Sequence, residues 1–210
     1  MIIIIDNKMG NIKSIENALN TLGLKNQISS DNVIIKKARG IIFPGVGSFP
    51  KAMENLKDHG LDNLLIDLIS KKSIPFLGIC LGMQILFEKS YEKKLTKGLG
   101  LLKGKVVEIK KNNNFKVPHV GWNSFSIKKK NSLLNGIDKN SKFYFDHSFY
   151  VKSSSLNTFA SLDYGQEMCV GIRSKNIFGV QFHPEKSQRN GLKMLKNFAN
   201  YVEVQRDANN

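Results

Sequence analysis

One cysteine between two glycines places the strongest constraint on what this chain can fold into. The apolar run at residues 74–79 has the length of a buried strand, and it stops at Cys80. Gly78 and Gly82 stand two residues before and two residues after this cysteine. Such spacing is typical of a nucleophile elbow, a tight strand-to-helix turn that exposes one side chain. The glycines are needed because a Cβ atom would clash in so sharp a turn.

The residues after the cysteine support this interpretation. Met83, Leu86 and Phe87 follow with helical periodicity and predict a helix that begins directly after Cys80. The dipole at a helix N-terminus lowers the pKa of a thiol and increases its nucleophilic fraction. The alternative is a buried structural cysteine that has glycine neighbours by chance, because the motif is short.

The first half of the chain alternates between strand and helix patterns. Residues 1–5 are apolar throughout, as in a buried parallel strand, and Asn11 is a candidate N-cap for the helix that follows. Further strands are predicted at residues 27–29 and 40–43, and helices at residues 12–22, 50–58 and 61–70. The turn after residue 43 contains Gly45 and Gly47, which would let the backbone approach a ligand or would simply form an ordinary turn.

After Tyr91 the helical periodicity disappears. Short β-type runs separated by Gly- and Asn-rich turns are predicted at residues 105–109, 120–127, 142–145, 149–151, 158–162, 168–173 and 177–182. A C-terminal helix is predicted at about residues 190–202. We therefore expect one α/β domain at residues 1–204 and a disordered tail at 205–210. Its central sheet would be mixed and mostly parallel, with flanking helices and additional antiparallel strands in the C-terminal half.

Composition restricts the class of protein. The chain has 210 residues, of which 41% are hydrophobic and 23% charged, as in a globular protein with a sizeable core. Its apolar runs stay short of the ~18 residues that would span a membrane, so no membrane association is expected. Two cysteines do not make a disulfide framework, and a cytoplasmic location is the simplest interpretation.

The net charge of +15 raises the question of a nucleic-acid partner. The lysines occur in short clusters at residues 36–37, 71–72, 93–94, 110–111 and 128–130. Aromatic residues are not interleaved with them as in a single-strand-binding groove. Solvated lysine-rich faces explain this pattern best, an acidic protein partner or a phosphorylated substrate comes second, and nucleic acid comes last.

A nucleophilic thiol needs a base, and the base needs an orienting acceptor. His59 is placed to cap a helix, and His119 and His147 lie in β-rich segments where their role is ambiguous. His183 follows a strand, and Glu185 stands two residues later, on the same side of an extended segment. This pair is the candidate base and orienting carboxylate, with a hydrogen-bonded structural histidine as the alternative.

Three motifs in this order resemble those of class I (triad) glutamine amidotransferases. They are PGVGSF at residues 44–49, GICLGMQ at 78–84 and GVQFHPE at 179–185. Within that family the chain is most similar to the glutaminase subunits of imidazole glycerol phosphate synthases. The stretches MGNIKS at residues 9–14, PHVGWN at 118–123 and YFDHSFY at 144–150 carry this likeness, which runs over nearly the whole chain.

The resemblance implies a catalytic triad and an oxyanion site. Cys80 would attack the side-chain amide of L-glutamine, His183 would move the proton, and Glu185 would steady the imidazolium. The backbone amides of Leu81 and Gly47 would bind the oxyanion, the second after a rotation of the peptide before Gly47. No metal or cofactor is implied, and no His or Cys cluster has ligand spacing.

The resemblance also implies how glutamine is held. Gln84 would contact the substrate from one helical turn beyond Cys80, and Glu92 would bind the α-ammonium group. His147, Ser148 and Phe149 match the segment that meets the α-carboxylate.

A separate protein would use the ammonia. The resemblance implies a (β/α)8-barrel cyclase as partner in a heterodimer for histidine biosynthesis. The positions that match the interface around the ammonia exit are Met9, Asn11, Pro118, Trp122, Asn123 and Tyr144.

Four positions depart from the family pattern. They are Asn7 and Lys8 in the first loop, Asp146, and Phe149. We expect them near the interface and the substrate rim, so they put the partner in doubt rather than the triad. The main alternative is a paralogous subunit that supplies ammonia for amidination of a surface-glycan sugar. A binding module without catalysis is the third possibility, against which the intact triad argues.

Overall fold

A computed structural model of the chain describes residues 1–9, 12–111, 113–153 and 157–207. The helices are α1 (Ile12–Thr21), α2 (Asn32–Ile35), α3 (Phe49–Asp58), α4 (Leu61–Ser70), α5 (Leu81–Gln84) and α6 (Gln188–Asp207), with 3-10 turns at Ser132–Leu134 and Pro184–Lys186. The strands are β1 (Ile2–Ile5), β2 (Asn26–Ser29), β3 (Gly40–Gly45), β4 (Phe76–Cys80), β5 (Phe87–Ser90), β6 (Thr96–Lys97), β7 (Leu102–Glu108), β8 (His119–Asn123), β9 (Ser126–Ile127), β10 (Phe143–His147), β11 (Phe149–Lys152), β12 (Thr158–Asp163), β13 (Glu167–Ser174) and β14 (Ile177–Val180). None of the helices within these ranges is long and apolar enough to cross a membrane.

Most strands belong to one mixed sheet. The order β2-β1-β3-β4-β14 is parallel throughout, and β13, β11 and β7 extend it in antiparallel fashion. Strands β5 and β6 form the far edge, while β12 pairs with the other side of β13 and carries β9. Strands β8 and β10 make a separate antiparallel sheet. This confirms the predicted α/β fold with its mostly parallel N-terminal part and its antiparallel C-terminal half.

The parallel strands are apolar throughout because helices cover both faces of the sheet. Ile2 and Ile4 pack in a buried cluster with residues of α1 and α6, whereas Ile3 and Ile5 pack in a second cluster with residues of α3 and α4. Polar side chains that could bind a ligand therefore lie in the loops at the strand ends. In open α/β sheets, the carboxyl ends of the strands are where ligands bind.

The predicted helix after Cys80 is wrong beyond its first turn. Helix α5 ends at Gln84, and Phe87 begins strand β5, which pairs with β7. Gly98 permits this course, because a Cβ atom there would overlap the backbone carbonyl of Phe87. The Gly98 N–H then donates to the Glu88 carbonyl at 2.9 Å. The segment therefore adopts the strand conformation that pairs with β7, although Met83, Leu86 and Phe87 have the spacing of a helix.

The predicted end of the last helix also needs correction. Helix α6 begins at Gln188 and continues through residues 205–207, where a disordered tail was expected, and residues 208–210 lie outside the described residues. The predicted N-cap Asn11 lies outside the described residues as well. Helix α2 was not predicted, although the Asp31 side chain caps it by accepting from Val33 N–H at 2.6 Å.

Candidate active site

Cys80 lies in the strained turn that joins β4 to α5. Its φ of 54° and ψ of −109° belong to a region that residues with side chains rarely occupy. A Cβ atom on Gly82 would overlap the carbonyl oxygen of Phe43, and one on Gly78 would overlap the carbonyl of Gly82. Both glycines are therefore required by the turn, and the elbow predicted from the sequence is confirmed.

His183 lies beside this elbow because β14 and β4 are parallel neighbours. Its Nδ1 is 2.7 Å from Oε1 of Glu185, and both side chains are buried, with 2% and 4% exposed. The predicted contact is confirmed, but Glu185 belongs to a 3-10 turn rather than to an extended segment. The turn is held because the His183 N–H donates to the Tyr144 carbonyl and the Ser187 hydroxyl donates to the His183 carbonyl.

The charges around His183 favour its protonated form. Burial by itself lowers the pKa of the imidazole, but the negative charge of the Cys80 sulfur, a hydrogen bond to that sulfur and the Glu185 carboxylate raise the pKa from 6.5 to about 10. The raised pKa therefore shifts the imidazole toward its protonated form. In that form the imidazole can deliver its proton to a leaving group next to the sulfur.

A cavity of about 340 Å³ opens at the elbow. The lining residues are Val46, Gly47, Cys80, Leu81, Gln84, Glu92, Pro118, Asp146, His147, Ser148 and Phe149. They come from both halves of the chain, and they include the candidate nucleophile, both candidate oxyanion residues and all five candidate glutamine-binding residues. Within the described residues, no group of His, Cys, Asp and Glu side chains could hold a metal ion.

Sequence comparison identifies the family to which this site belongs. The family described as glutamine amidotransferase class-I matches residues 3–201. The imidazole glycerol phosphate synthase subunit HisH 2 of Vibrio vulnificus is 47% identical over 206 residues, which are 98% of this chain and 96% of the relative. Subunit HisH of Caldanaerobacter subterraneus is 47% identical over 203 residues, 96% and 98% of the two chains. This chain is a class-I glutamine amidotransferase.

Solved structures agree with the fold of the amidotransferase. A glutamine amidotransferase crystal structure superposes with a TM-score of 0.75 at 16% identity, covering 96% of this chain and 98% of the other. PurLQS from Thermotoga maritima gives a TM-score of 0.69 at 19% identity, with 96% and 98% covered. At these identities the likeness concerns the fold alone.

The amidotransferase holds Glu92 in a fixed position at the cavity. One oxygen of its carboxylate, Oε2, accepts a hydrogen bond from the backbone N–H of Phe49 at 2.7 Å. Phe49 is the first residue of α3, so the positive end of that helix stabilises the negative charge. The Glu92 side chain lines the cavity, where a carboxylate suits a cationic group of a ligand.

The candidate oxyanion residues differ in how they are held. Leu81 is the first residue of α5, where backbone N–H groups have no partner within the helix. Gly47 has a φ of 102°, and a Cβ atom there would overlap the terminal methyl of Met9. Met9 therefore packs against the loop of the candidate oxyanion residue Gly47, in addition to its predicted place at the interface.

Four of the candidate interface residues fall in or beside the two-stranded sheet. Trp122 and Tyr144 are paired across β8 and β10, with their rings edge to face 5.9 Å apart, and Trp122 is 41% exposed. Asn123 belongs to the same sheet, opposite Phe143, and Pro118 precedes it at the rim of the cavity. The sixth candidate, Asn11, lies outside the described residues.

The positions that depart from the family pattern have different environments. Asn7 is buried rather than at a rim, and it joins the first loop to α3, since Asn55 Nδ2 donates to the Asn7 carbonyl at 2.8 Å. Lys8 is exposed and pairs with Asp6 at 3.0 Å. Asp146 and Phe149 do line the cavity, and the Asp146 carboxylate lies 3.7 Å from the ammonium of Lys186.

Sequence reasoning missed one polar residue at the site. Gln181 is completely buried at the end of β14, and its Nε2 lies 3.5 Å from the Cys80 sulfur. A signal was available, because an amide inside an apolar strand must find hydrogen-bond partners when it is buried. Its position two residues before His183 places those partners in the active site.

Proposed function

We propose that this amidotransferase is the glutaminase subunit of an imidazole glycerol phosphate synthase. It would hydrolyse L-glutamine to glutamate and pass the ammonia to a (β/α)8-barrel cyclase. The observation that carries the proposal is the Cys80–His183–Glu185 arrangement at a cavity of about 340 Å³. The pathway rests on relatives that are 44–47% identical over nearly the whole chain and are named as HisH subunits, and nothing in them favours the surface-glycan alternative.

The reaction begins at the sulfur. Cys80 forms a bond to the side-chain carbonyl carbon of glutamine, and the carbonyl π electrons move to oxygen to give a tetrahedral oxyanion. His183 donates its proton to the amide nitrogen, the carbon–nitrogen bond breaks, and ammonia leaves a thioester. Water then attacks the thioester while His183 accepts a proton. Glutamate leaves, and the thiolate and imidazolium are restored.

Backbone amides would stabilise the oxyanion. Leu81 N–H lies next to the nucleophile in sequence, and the Gly47 amide belongs to the loop that follows β3, the strand paired with β4. Removing one such donor in known acyl-transfer enzymes costs about 3–4 kcal/mol of barrier. The positive φ of Gly47 suits a peptide that must turn toward the substrate, and the contact with Met9 would influence that turn.

Glutamine would be oriented by its two charged ends. The Glu92 carboxylate suits the α-ammonium group, and the backbone and hydroxyl of Ser148 suit the α-carboxylate. His147 would keep this segment in place as a neutral group, because its Nδ1 donates to the Phe149 carbonyl at 2.8 Å. Gln84 would then contact the reacting amide.

The partner would cover the face formed by β8 and β10. Trp122 and Val120 are 41% and 54% exposed there, and exposed aromatic residues are typical anchors of protein interfaces. Tyr144, from the same sheet, accepts the N–H of His183 through its carbonyl. Docking on this face would therefore bear directly on the loop of the catalytic base.

The test is glutamate release by the purified chain, alone and mixed with a histidine-pathway barrel cyclase and its nucleotide substrate. Cys80→Ala serves as the blank. We expect a low rate alone and strong stimulation in the mixture. Activity that the cyclase leaves unchanged would contradict the assigned partner but not the chemistry. Equal signals from wild type and Cys80→Ala in every mixture would refute glutamine hydrolysis itself.

A further inference from the structure

Two buried glutamine side chains connect the nucleophile to the glutamine-binding segment. Gln84 is 4% exposed and Gln181 is fully buried. Gln84 Nε2 lies 2.9 Å from the Phe149 carbonyl oxygen and 3.0 Å from Gln181 Oε1. Gln181 Nε2 lies 3.5 Å from the Cys80 sulfur. The contacts form one continuous chain across residues that are 65 to 101 positions apart in the sequence.

The Phe149 carbonyl determines which way each amide points. A carbonyl oxygen can only accept, so the atom of Gln84 that faces it must be the nitrogen. That nitrogen carries two hydrogens, and the second one needs an acceptor, which must be the oxygen of Gln181. The nitrogen of Gln181 is therefore the atom left to face the sulfur. Reversing either amide would bring two oxygens or two N–H groups together.

The same logic orients the free end of Gln84. Both of its N–H bonds are used by Phe149 and Gln181, so only its carbonyl oxygen remains for the cavity. An acceptor at this place suits a carboxamide, whose nitrogen carries hydrogens. It disfavours a carboxylate, which offers only lone pairs. The arrangement thus distinguishes the amide substrate from its acid product.

We propose that Gln181 is a positioning residue that orders the active site in two ways, by directing an N–H at the Cys80 sulfur and by locking Gln84 with its oxygen toward the substrate. The proposal rests on the proposed glutaminase function for its second part. The first part concerns the thiol alone. An N–H donor stabilises the charged sulfur more than the neutral thiol, so it favours the nucleophilic form.

The experiment uses Gln181→Met, which keeps the length of the side chain and removes both hydrogen bonds. The matched control is Gln27→Met on β2, four positions away from β14 in the sheet. Folding is checked by circular dichroism. If Gln181→Met does not fold, Gln181→Asn replaces it, because that amide is one methylene too short to reach both partners.

The first readout is the pH dependence of Cys80 alkylation by iodoacetamide, followed on the Cys80 peptide by mass spectrometry. We expect the midpoint to rise by about one pH unit in Gln181→Met, since a hydrogen bond to a charged group is worth at least that much. The control should leave the midpoint near that of wild type. An unchanged midpoint in Gln181→Met would refute the contact with sulfur. This readout needs no turnover, so it remains valid if glutamine is not the substrate.

The second readout is a double-mutant cycle on kcat/KM for glutamine. If Gln181 acts through Gln84, the double variant Gln181→Met/Gln84→Met should lose no more than about twofold beyond the larger single loss. Each single variant should also raise KM and weaken the preference for glutamine over glutamate as a competing ligand. Single losses that multiply in the double variant would refute the lock on Gln84. Absence of turnover in wild type, both alone and mixed with the cyclase and its nucleotide substrate, would instead refute the proposed function.

Discussion

His147 should make the stability of the amidotransferase fall in mild acid, and one substitution can isolate the effect. The side chain is 6% exposed and uses both ring nitrogens. Its Nδ1 donates to the Phe149 carbonyl, so its Nε2 must accept, at 3.1 Å, from Nδ1 of His119. A proton added to Nε2 would face another N–H. The neutral ring is therefore the form that fits the folded site.

The size of the effect follows from proton linkage. Burial lowers the pKa of His147 from 6.5 to about 3, against the hydrogen bond to Phe149 and with help from the nearby charges of His119 and His183. A folded pKa below the unfolded one means that the contribution to stability is present above pH 6.5 and declines as the pH falls. Between pH 7 and pH 5 the free energy of unfolding should drop by about 2 kcal/mol from this group.

His183 does not produce the same loss of stability in acid, because its pKa in the folded protein is higher than in the unfolded chain. Its contribution is fully present below pH 6.5 and is lost only as the pH rises toward about 10. Wild type, His147→Phe and the exposed-histidine control His59→Phe would be unfolded in urea at both pH values. We expect His147→Phe to lose about 2 kcal/mol less than the other two proteins on acidification. The same loss in all three would refute the reasoning.

Three further substitutions test the site and its surface. Gly82→Ala should slow alkylation of Cys80 more than tenfold and destabilise the protein by about 1–3 kcal/mol, because the new methyl group overlaps the Phe43 carbonyl. Glu185→Gln should lower kcat roughly 10- to 100-fold with little change in KM, since a charge-assisted hydrogen bond at 2.7 Å from His183 is replaced by a neutral one. Trp122→Ala should weaken binding of the cyclase about 30-fold in calorimetry, as expected for an exposed aromatic anchor.

Each substitution has a control elsewhere on the molecule. Gly23→Ala adds a methyl group at a turn glycine with a φ of 67° where no atom lies within 4 Å, so it should leave alkylation unchanged. Glu167→Gln on β13 removes an exposed carboxylate and should keep the wild-type kcat. Lys142→Ala changes an exposed residue near the two-stranded sheet and should keep most of the affinity for the cyclase. A control that behaves like its partner variant would contradict the corresponding interpretation.

Local signals were sufficient to predict the strand and the turn that carry Cys80. The apolar run before Cys80 and the two glycines around it predict a strand and a tight turn, and the structure has both. The periodicity of apolar residues, however, shows only which side chains a segment could bury if it formed a helix or a strand. Phe87 has helical spacing from Met83, yet it lies in a strand because it pairs with β7. This pairing partner is distant in sequence and cannot be predicted from the residues around Phe87.

The triad and Gln181 show why spacing predicts contacts better than conformations. Glu185 was expected beside His183 because alternate residues of a strand share a side, and it lies there because a 3-10 turn, tied to Tyr144, brings it back. Two residues of separation keep the carboxylate within reach in either conformation. Gln181 has no such short tether to Cys80, from which it is 101 positions away, so only the pairing of β14 with β4 brings the two together. A buried amide in an apolar run predicts that hydrogen-bond partners exist. The topology of the sheet determines which residues those partners are.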